Sequence, residues 1–306
     1  MKRLLVTGRH GFVGETVASL VASDPTLSHW YVVDLPAHLD VRDPLAVAAL
    51  IDQCRPDAVM HLAAQSWVPD ALRDPETTLQ VNLIGTLHLL AALRRSHFDG
   101  PFLFASTGDV YGLVPAEVLP LNESRLPAPR NPYAVSKLAG EALCFQWSVT
   151  DQMHIVIARA FNHIGPGQSE RFAVSDFARQ IAEIKLGRRE PVVHAGDIDV
   201  TRDFTDVRDV VYAYFSLLDA GATGETYNVC SGTERTVRSL LERLAALARV
   251  DVRVEQDAQR LRPSEQRRVR GDPGKIRSAT GWRVSTSIDD SLRSMLDYWE
   301  HAITNA

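Results

Sequence analysis

The chain has 306 residues, 45% hydrophobic and 23% charged, with a net charge of −5. That is enough for one large α/β unit or two lobes sharing a cleft, and the acidic balance leaves no electrostatic footprint for a nucleic-acid partner. No apolar run approaches the roughly 18 residues of a membrane span, and the leader-like Met1-Lys-Arg-Leu-Leu-Val is broken at Thr7-Gly8.

Three widely spaced cysteines, Cys54, Cys144 and Cys230, fit a reducing compartment, so a cytoplasmic protein with no membrane partner is expected. The ten histidines show no metal-ligand spacing, and no metal is expected. From the amino terminus, strand and helix signals alternate. A strand is predicted over 4–6 and a helix over 11–22, with Phe12, Val13, Val17, Leu20 and Val21 apolar. Residues 30–33 make a second strand ending at Asp34. A third short segment reaches Asp40-Val41, ahead of a helix over 44–54. Residues 58–63 are almost continuously apolar, the pattern of a parallel strand covered on both faces. One helix is expected over 75–95, a strand over 102–105, a helix bearing Tyr133 and Lys137, and a strand over 155–158.

This alternation predicts right-handed βαβ crossovers and an α/β fold with a doubly wound parallel (Rossmann) sheet. Beyond Arg159 the rhythm changes to a loop at 162–167, a helix at 172–185 and a strand-like 192–194. A helix at 207–218 and a strand at 226–230 are expected to return to the first unit; a helix at 237–248 belongs to the second. The expected organisation is a dinucleotide-binding unit of 1–165 with about 205–232. A smaller, interleaved substrate lobe takes about 166–204 and 233–306.

Three features carry chemistry. The loop Gly8-Arg9-His10-Gly11-Phe12-Val13-Gly14 lies between a strand and a helix, where free N–H groups and the helix dipole bind a pyrophosphate. Its glycine spacing departs from the usual Gly-x-Gly-x-x-Gly. Asp34, at a strand end, is placed to accept from the adenosine ribose and would repel a 2′-phosphate. Arg9 would offset that repulsion, so NADH and NADPH both stay open. The strand at 102–105 runs into Ser106-Thr107, and Tyr133-Ala-Val-Ser-Lys137 follows some 25 residues later. A lysine one helical turn beyond a phenol gives a proton donor and a charge expected to lower its pKa. The basic cluster Arg260, Arg262, Arg267, Arg268 and Arg270 reads either as a solvated face or as the lip of a phosphate site.

With Asp40-Val41, His61-Leu-Ala-Ala64, Asn82-Leu-Ile-Gly-Thr86, Ser106-Thr-Gly-Asp-Val-Tyr-Gly112, Asn131-Pro-Tyr-Ala-Val-Ser-Lys137 and Tyr227-Asn-Val, the chain resembles the extended short-chain dehydrogenase/reductase family over nearly its whole length. Members act mostly on nucleotide sugars. The resemblance implies Thr107 as the hydroxyl of a catalytic triad, with Ser106 open for the same role one register step away. It implies Tyr133 as acid/base and Lys137 as the residue that binds the nicotinamide ribose. Asp40 and Val41 would flank the adenine, and Leu62, Ala63 and Ala64 the pyrophosphate and ribose. Asn162, Arg202, Arg262 and Glu265 resemble segments that hold a nucleoside diphosphate, while Ser66 and Val68 line a sugar pocket. Homodimerisation through the helices at 75–95 and 133–149 is the family's common arrangement.

A narrower resemblance lies in Arg159-Ala-Phe-Asn-His-Ile-Gly-Pro-Gly-Gln168, Gly196-Asp-Ile-Asp-Val-Thr-Arg-Asp-Phe204, Tyr227-Asn-Val-Cys-Ser-Gly232 and Glu265-Gln-Arg-Arg-Val-Arg-Gly271. These are similar to the bacterial GDP-6-deoxy-D-mannose reductases, relatives of the GDP-mannose 4,6-dehydratases. Reduction of GDP-4-keto-6-deoxy-D-mannose to GDP-D-rhamnose is the implied reaction. A dehydratase needs one more acid/base, typically a glutamate two residues after the threonine. Asp109, one methylene shorter, stands there, which favours the reductase and leaves dehydration or epimerisation as the alternative. A dinucleotide-binding sensor without chemistry is the rival of another class, and the presence of both Tyr133 and Lys137 speaks against it.

Overall fold

The computed structural model describes residues 1–36, 39–257 and 266–305. In chain order, β1 (Lys2–Thr7), α1 (Phe12–Ser23), β2 (Trp30–Val32), α2 (Pro44–Cys54) and β3 (Ala58–His61) come first. They are followed by α3 (Val68–Arg73), α4 (Pro75–Leu79), α5 (Gly85–Arg95), β4 (Phe102–Thr107), α6 (Pro132–Thr150) and β5 (Ile155–Ala160). The second half holds β6 (Asn162–Ile164), α7 (Ala173–Lys185), β7 (Val192–Ala195), β8 (Thr201–Asp206) and α8 (Val207–Ala220). It closes with β9 (Thr226–Val229), β10 (Glu234–Thr236), α9 (Val237–Ala248), β11 (Arg253–Gln256), α10 (Gly274–Thr280) and α11 (Ile288–Thr304).

Six parallel strands form the central sheet in the order β2-β1-β3-β4-β5-β9. Every residue of β3 and β5 is buried, which is why both are apolar apart from His61 and Arg159. Leu4 and Val6 face a layer that includes Val17 of α1 and Val210, Tyr214 and Leu217 of α8. Leu5 faces the opposite layer, with Ile51 of α2, Leu90 of α5 and Trp147 of α6. The winding reverses between β1 and β3, so a crevice opens past their carboxyl ends, the place where this architecture binds ligands.

Strands β6, β8 and β10 form a second sheet, and β7 pairs with β11. Beside them α7, α9 and α11 enclose a separate apolar cluster containing Phe177, Ile181, Leu240, Leu244 and Met295. No helix among the described residues is long and apolar enough to cross a membrane.

Three details depart from the sequence reading. The expected loop at 162–167 begins with β6, because Asn162, His163 and Ile164 pair with Phe204, Thr205 and Asp206 of β8. The segment reaching Asp40-Val41 is a turn: the Arg42 N–H donates to Asp40 Oδ1 at 2.9 Å, and Asp43 caps α2. The single helix expected over 75–95 contains a π turn at Gln80–Ile84. Within it Asn82 accepts from Gln65 N–H at 2.8 Å and donates to Ser136 Oγ at 2.9 Å, joining the loop after β3 to α6.

Candidate active site

The crevice is lined first by the turn out of β1. Gly8 has φ +74°, and a Cβ there would lie 2.8 Å from Ala63 N. A Cβ on Gly14 would lie 2.4 Å from Gly8 O. Both positions are therefore confined to glycine, where the turn presses against the exit of β3 and against α1. Gly11 is the N-cap of the twelve-residue α1 and no side chain caps the helix, so its first N–H groups, at Phe12 and Val13, are left for a ligand. Thr7 Oγ1 accepts from Ala63 N–H at 3.2 Å and is hydrogen-bonded to His61 Nδ1 at 2.6 Å. His61 Nε2 is hydrogen-bonded to Thr86 Oγ1 at 2.9 Å. Burial, helped by the charge on Lys137, drops the His61 pKa to about 3 and keeps the ring neutral. These bonds fix Leu62, Ala63 and Ala64 opposite the glycine turn.

A cradle of bare backbone with an uncapped helix end fits a dinucleotide pyrophosphate. Asp34 lies just past β2 with its side chain 84% exposed, and Arg9 Nη2 is 3.8 Å from its carboxylate.

The second wall is the end of β4 against the start of α6. Asn131 caps α6 by accepting from Ala134 N–H at 2.8 Å, and Pro132 opens the first turn, so Tyr133 stands at the helix mouth. The Tyr133 phenol lies near the Thr107 hydroxyl, which accepts from Asp109 N–H at 3.2 Å. Lys137 is buried, donates to Ala105 O at 2.7 Å and lies 5.1 Å from the Phe104 ring centroid. Burial lowers its pKa to about 8.

Two expectations change here. Ser106 donates its hydroxyl to the buried Glu141. Successive strand residues face opposite sides, so one of the pair reaches Tyr133, and it is Thr107. The Tyr133 pKa is pushed up, first by burial and then by the Asp109 charge, with the Thr107 hydroxyl opposing. Lys137 spends a hydrogen bond on the strand instead of on the phenol, so the protein by itself does not lower that pKa.

The facing wall comes from β6 and β8. Asn162 is exposed at the start of β6, and Arg202 is half-buried on β8, donating to Thr201 O at 2.7 Å. Asp109 reaches into the space between the walls. It is open to solvent on one side yet crowded by protein, and this crowding raises its pKa while Arg202 pulls it down. The fully buried Asp203 accepts from Ser231 N–H at 2.8 Å, Gly232 N–H at 2.9 Å and Gly271 N–H at 3.2 Å, tying β8 to the turn after β9.

Ser66 is an exposed loop residue one turn before α3, which opens with Val68. Arg260, Arg262 and Glu265 lie outside the described residues. Two other members of the basic cluster are already paired, Arg267 with Asp197 and Arg268 with Glu234 at 2.7 Å.

The GDP-mannose 4,6 dehydratase family model matches residues 35–295. The chain belongs to that family, within the extended short-chain dehydrogenases/reductases. It is 48% identical over 302 residues to the GDP-6-deoxy-D-mannose reductase of Pseudomonas aeruginosa, covering 99% of this chain and 98% of that one. To a GDP-mannose 4,6-dehydratase of Sinorhizobium fredii it is 30% identical over 280 residues, covering 84% and 78%. The solved structure of RMD from Pseudomonas aeruginosa complexed with NADPH superimposes with a TM-score of 0.93 at 48% identity, covering 99% of this chain and all of that one.

Within this member of the GDP-mannose 4,6 dehydratase family, several polar residues near the site escaped the sequence reading. His163 stacks on Phe12 at the mouth of α1, with centroids 5.9 Å apart and planes at 11°. Glu141 and Arg159 form a buried bidentate pair under β4, at 2.9 and 2.7 Å. The signal for that pair was present: a carboxylate one turn past Lys137 on a helix, and a lone arginine inside the apolar Ile155-Val-Ile-Ala-Arg-Ala160.

Proposed function

We propose that the protein reduces the 4-keto group of GDP-4-keto-6-deoxy-D-mannose, giving GDP-D-rhamnose, with NADPH as the donor. The observation that carries this is Tyr133. Its phenol lies near Thr107, and burial and Asp109 hold its proton on. Ketone reduction requires that state, because the neutral phenol gives its proton to the oxygen that becomes a hydroxyl. The reduced nicotinamide, when bound, supplies the hydride. Thr107 orients the carbonyl oxygen beside the phenol. Lys137, charged at neutral pH, holds the ribose and stabilises the phenolate left behind. Arg202 and Asn162 hold the nucleoside diphosphate and sugar from the facing wall, arginine matching the charge and fork geometry of phosphate.

Similarity to the Pseudomonas reductase supports this reading. The NADPH in its relative's structure supports NADPH here, with Arg9 meeting the 2′-phosphate and Asp34 turned out to solvent. The unit 1–165 with 205–232 carries the cofactor, and 166–204 with 233–306 the nucleotide sugar.

One observation favours dehydration of GDP-mannose as a second reading. Asp109, two residues after Thr107, has a raised pKa and acts electrostatically on Tyr133. It is one methylene short of glutamate, however, and a misplacement of about an ångström costs on the order of a hundredfold. Mass-spectrometric product analysis decides. GDP-4-keto-6-deoxy-D-mannose with NADPH gives a 4-hydroxy sugar and one oxidised cofactor per turnover, and GDP-mannose alone gives little keto sugar. Rapid formation of keto sugar from GDP-mannose alone would move the protein to the dehydratases.

A homodimer completes the reading. Leu72, Leu79 and Leu87 on α3 to α5, and Val135, Phe145 and Val149 on the adjoining α6, are exposed apolar side chains that a second copy would cover. Light scattering at the mass of one chain would exclude it. The three unpaired cysteines fit work in the cytoplasm.

A further inference from the structure

Three consecutive residues at the end of β4 each face a different turn of α6, and the first two are bonded to it. Ala105 O accepts from Lys137 Nζ at 2.7 Å, Ser106 Oγ donates to Glu141 Oε1, and the Thr107 hydroxyl meets the Tyr133 phenol. Tyr133, Lys137 and Glu141 follow one another at four-residue spacing, so they share one helix face. Glu141 is itself clamped by Arg159, whose Nε and Nη2 reach its two oxygens at 2.9 and 2.7 Å. Arg159 pairs in register with Ser106 across β4 and with Asn228 across β9. Its guanidinium lies 4.9 Å from the Tyr111 ring centroid, and the Tyr111 hydroxyl donates to Asn228 Oδ1 at 2.7 Å. Both members of the pair are buried, so Glu141 is held from behind by a layer spanning three strands.

We infer that Glu141, clamped by Arg159, is a positioning residue. By gripping Ser106 it fixes the end of β4 against α6 and so sets the placement of the Thr107 hydroxyl on Tyr133. The inference rests on the proposed ketoreductase reading for its kinetic test, though the geometry does not depend on the substrate. A buried ion pair adds little net stability over an apolar one, because desolvating two charges offsets their attraction. What it does supply here is a carboxylate with one oxygen facing Ser106 and no freedom to turn away. The strand end has no other side-chain anchor between Ala105 and Thr107 among the described contacts.

The test begins with Ser106→Ala, which leaves both Arg159 bonds to Glu141 and orphans no charge. Expected is a fall in kcat of about 3- to 10-fold, the scale of one lost hydrogen bond, with KM for NADPH and for the keto sugar within about twofold. In a Thr107→Ala background the same substitution costs nothing further, because Ser106 acts through Thr107. Unchanged kcat in the single variant, or full multiplication in the double variant, overturns the proposal. Glu141→Gln is expected to lose on the order of a hundredfold in kcat. It also risks unfolding, since it strands Arg159 beside a neutral amide.

A substrate-free readout accompanies the kinetics. In protein carrying ¹³Cζ-tyrosine, the resonance missing from Tyr133→Phe reports the phenol's surroundings, the Thr107 hydroxyl among them. It should shift and broaden in Ser106→Ala, and an unmoved resonance overturns the proposal. Wild-type protein that fails to oxidise NADPH with the keto sugar sinks the ketoreductase reading instead. The tether is then decided by the resonance alone.

Discussion

The two walls of the cleft are built on different principles. On the β4–α6 wall, Ala105 and Ser106 are bonded in turn to Lys137 and Glu141, and Thr107 stands near Tyr133, all within one unit of the fold. On the β6–β8 wall, Arg202 is anchored through its own strand's carbonyl and faces Asp109 across open space. The first arrangement holds the strand end against the helix that carries the proposed proton donor before any ligand arrives, which suits acid catalysis. The second sets a cation opposite a carboxylate, the kind of charge a phosphate would meet on the proposed reading. On the proposed reading, chemistry and recognition are thus separated onto the two walls.

The separation breaks most severely at Tyr133. Tyr133→Phe keeps the ring and removes the proton, so kcat should fall by about 10²–10⁴. Cofactor affinity by fluorescence titration should hold within about threefold. Activity retained within a few-fold would dismiss Tyr133 as the acid. On the facing wall, Arg202→Met should raise KM for the nucleotide sugar by about 10- to 100-fold, the scale of a charge-assisted bond to phosphate. Its kcat should change only a few-fold. A kcat loss as deep as the KM change would show that the two walls are not functionally separate.

What could be read from the sequence follows the same division. The glycine loop, the alternation of strands with helices and Tyr133 to Lys137 were legible because local rules write them: apolar runs in strands buried on both faces, helix spacing, and glycines forced by backbone contact at Gly8 and Gly14. The choice between Ser106 and Thr107 was not, since it depends on which side chain of β4 faces α6, and Glu141 settles it from 35 residues away. β6 was read as a loop because its strand character comes entirely from pairing with Phe204–Asp206, which no local pattern encodes. The direction of the Tyr133 pKa was misjudged for a related reason. Burial and Asp109 outweigh the nearby lysine, and burial is a property of the assembled fold.

Lys137 sharpens the comparison by pH. Burial lowers its pKa from 10.5 to about 8, so kcat should fall as pH rises through about 8, by about tenfold per unit at the limit. Stability should move the opposite way. Between about pH 8 and 10.5 the unfolded chain still holds a proton that the folded chain has released, so this group's contribution rises with pH, by about 3 kcal/mol at most. Urea midpoints across that range should show the slope in cofactor-free wild type and lose it in Lys137→Met. An activity limb that Lys137→Met leaves in place would assign the titration elsewhere.

The smallest effects are expected at the outer end of the cofactor cradle, where neither wall's principle holds. Arg9 Nη2 and Asp34 are 3.8 Å apart, and the Asp34 side chain is 84% exposed. Water and salt screen a charge so placed, and exposed pairs contribute only about 0–1 kcal/mol. Repulsion of a 2′-phosphate by Asp34 is then worth at most about fivefold, and Asp34→Ala should raise the NADPH-to-NADH ratio of kcat/KM by no more than that. Arg9 is the better buried of the two, at 28% exposure, and would bond the phosphate directly. Arg9→Ala should therefore lower the same ratio by about 5- to 20-fold, more than Asp34→Ala raises it. Ratios measured at two salt concentrations add a check, because the Asp34 effect should fade with salt while most of the Arg9 effect persists. A larger change at Asp34 than at Arg9 would place the ribose against the carboxylate and make NADH the natural donor.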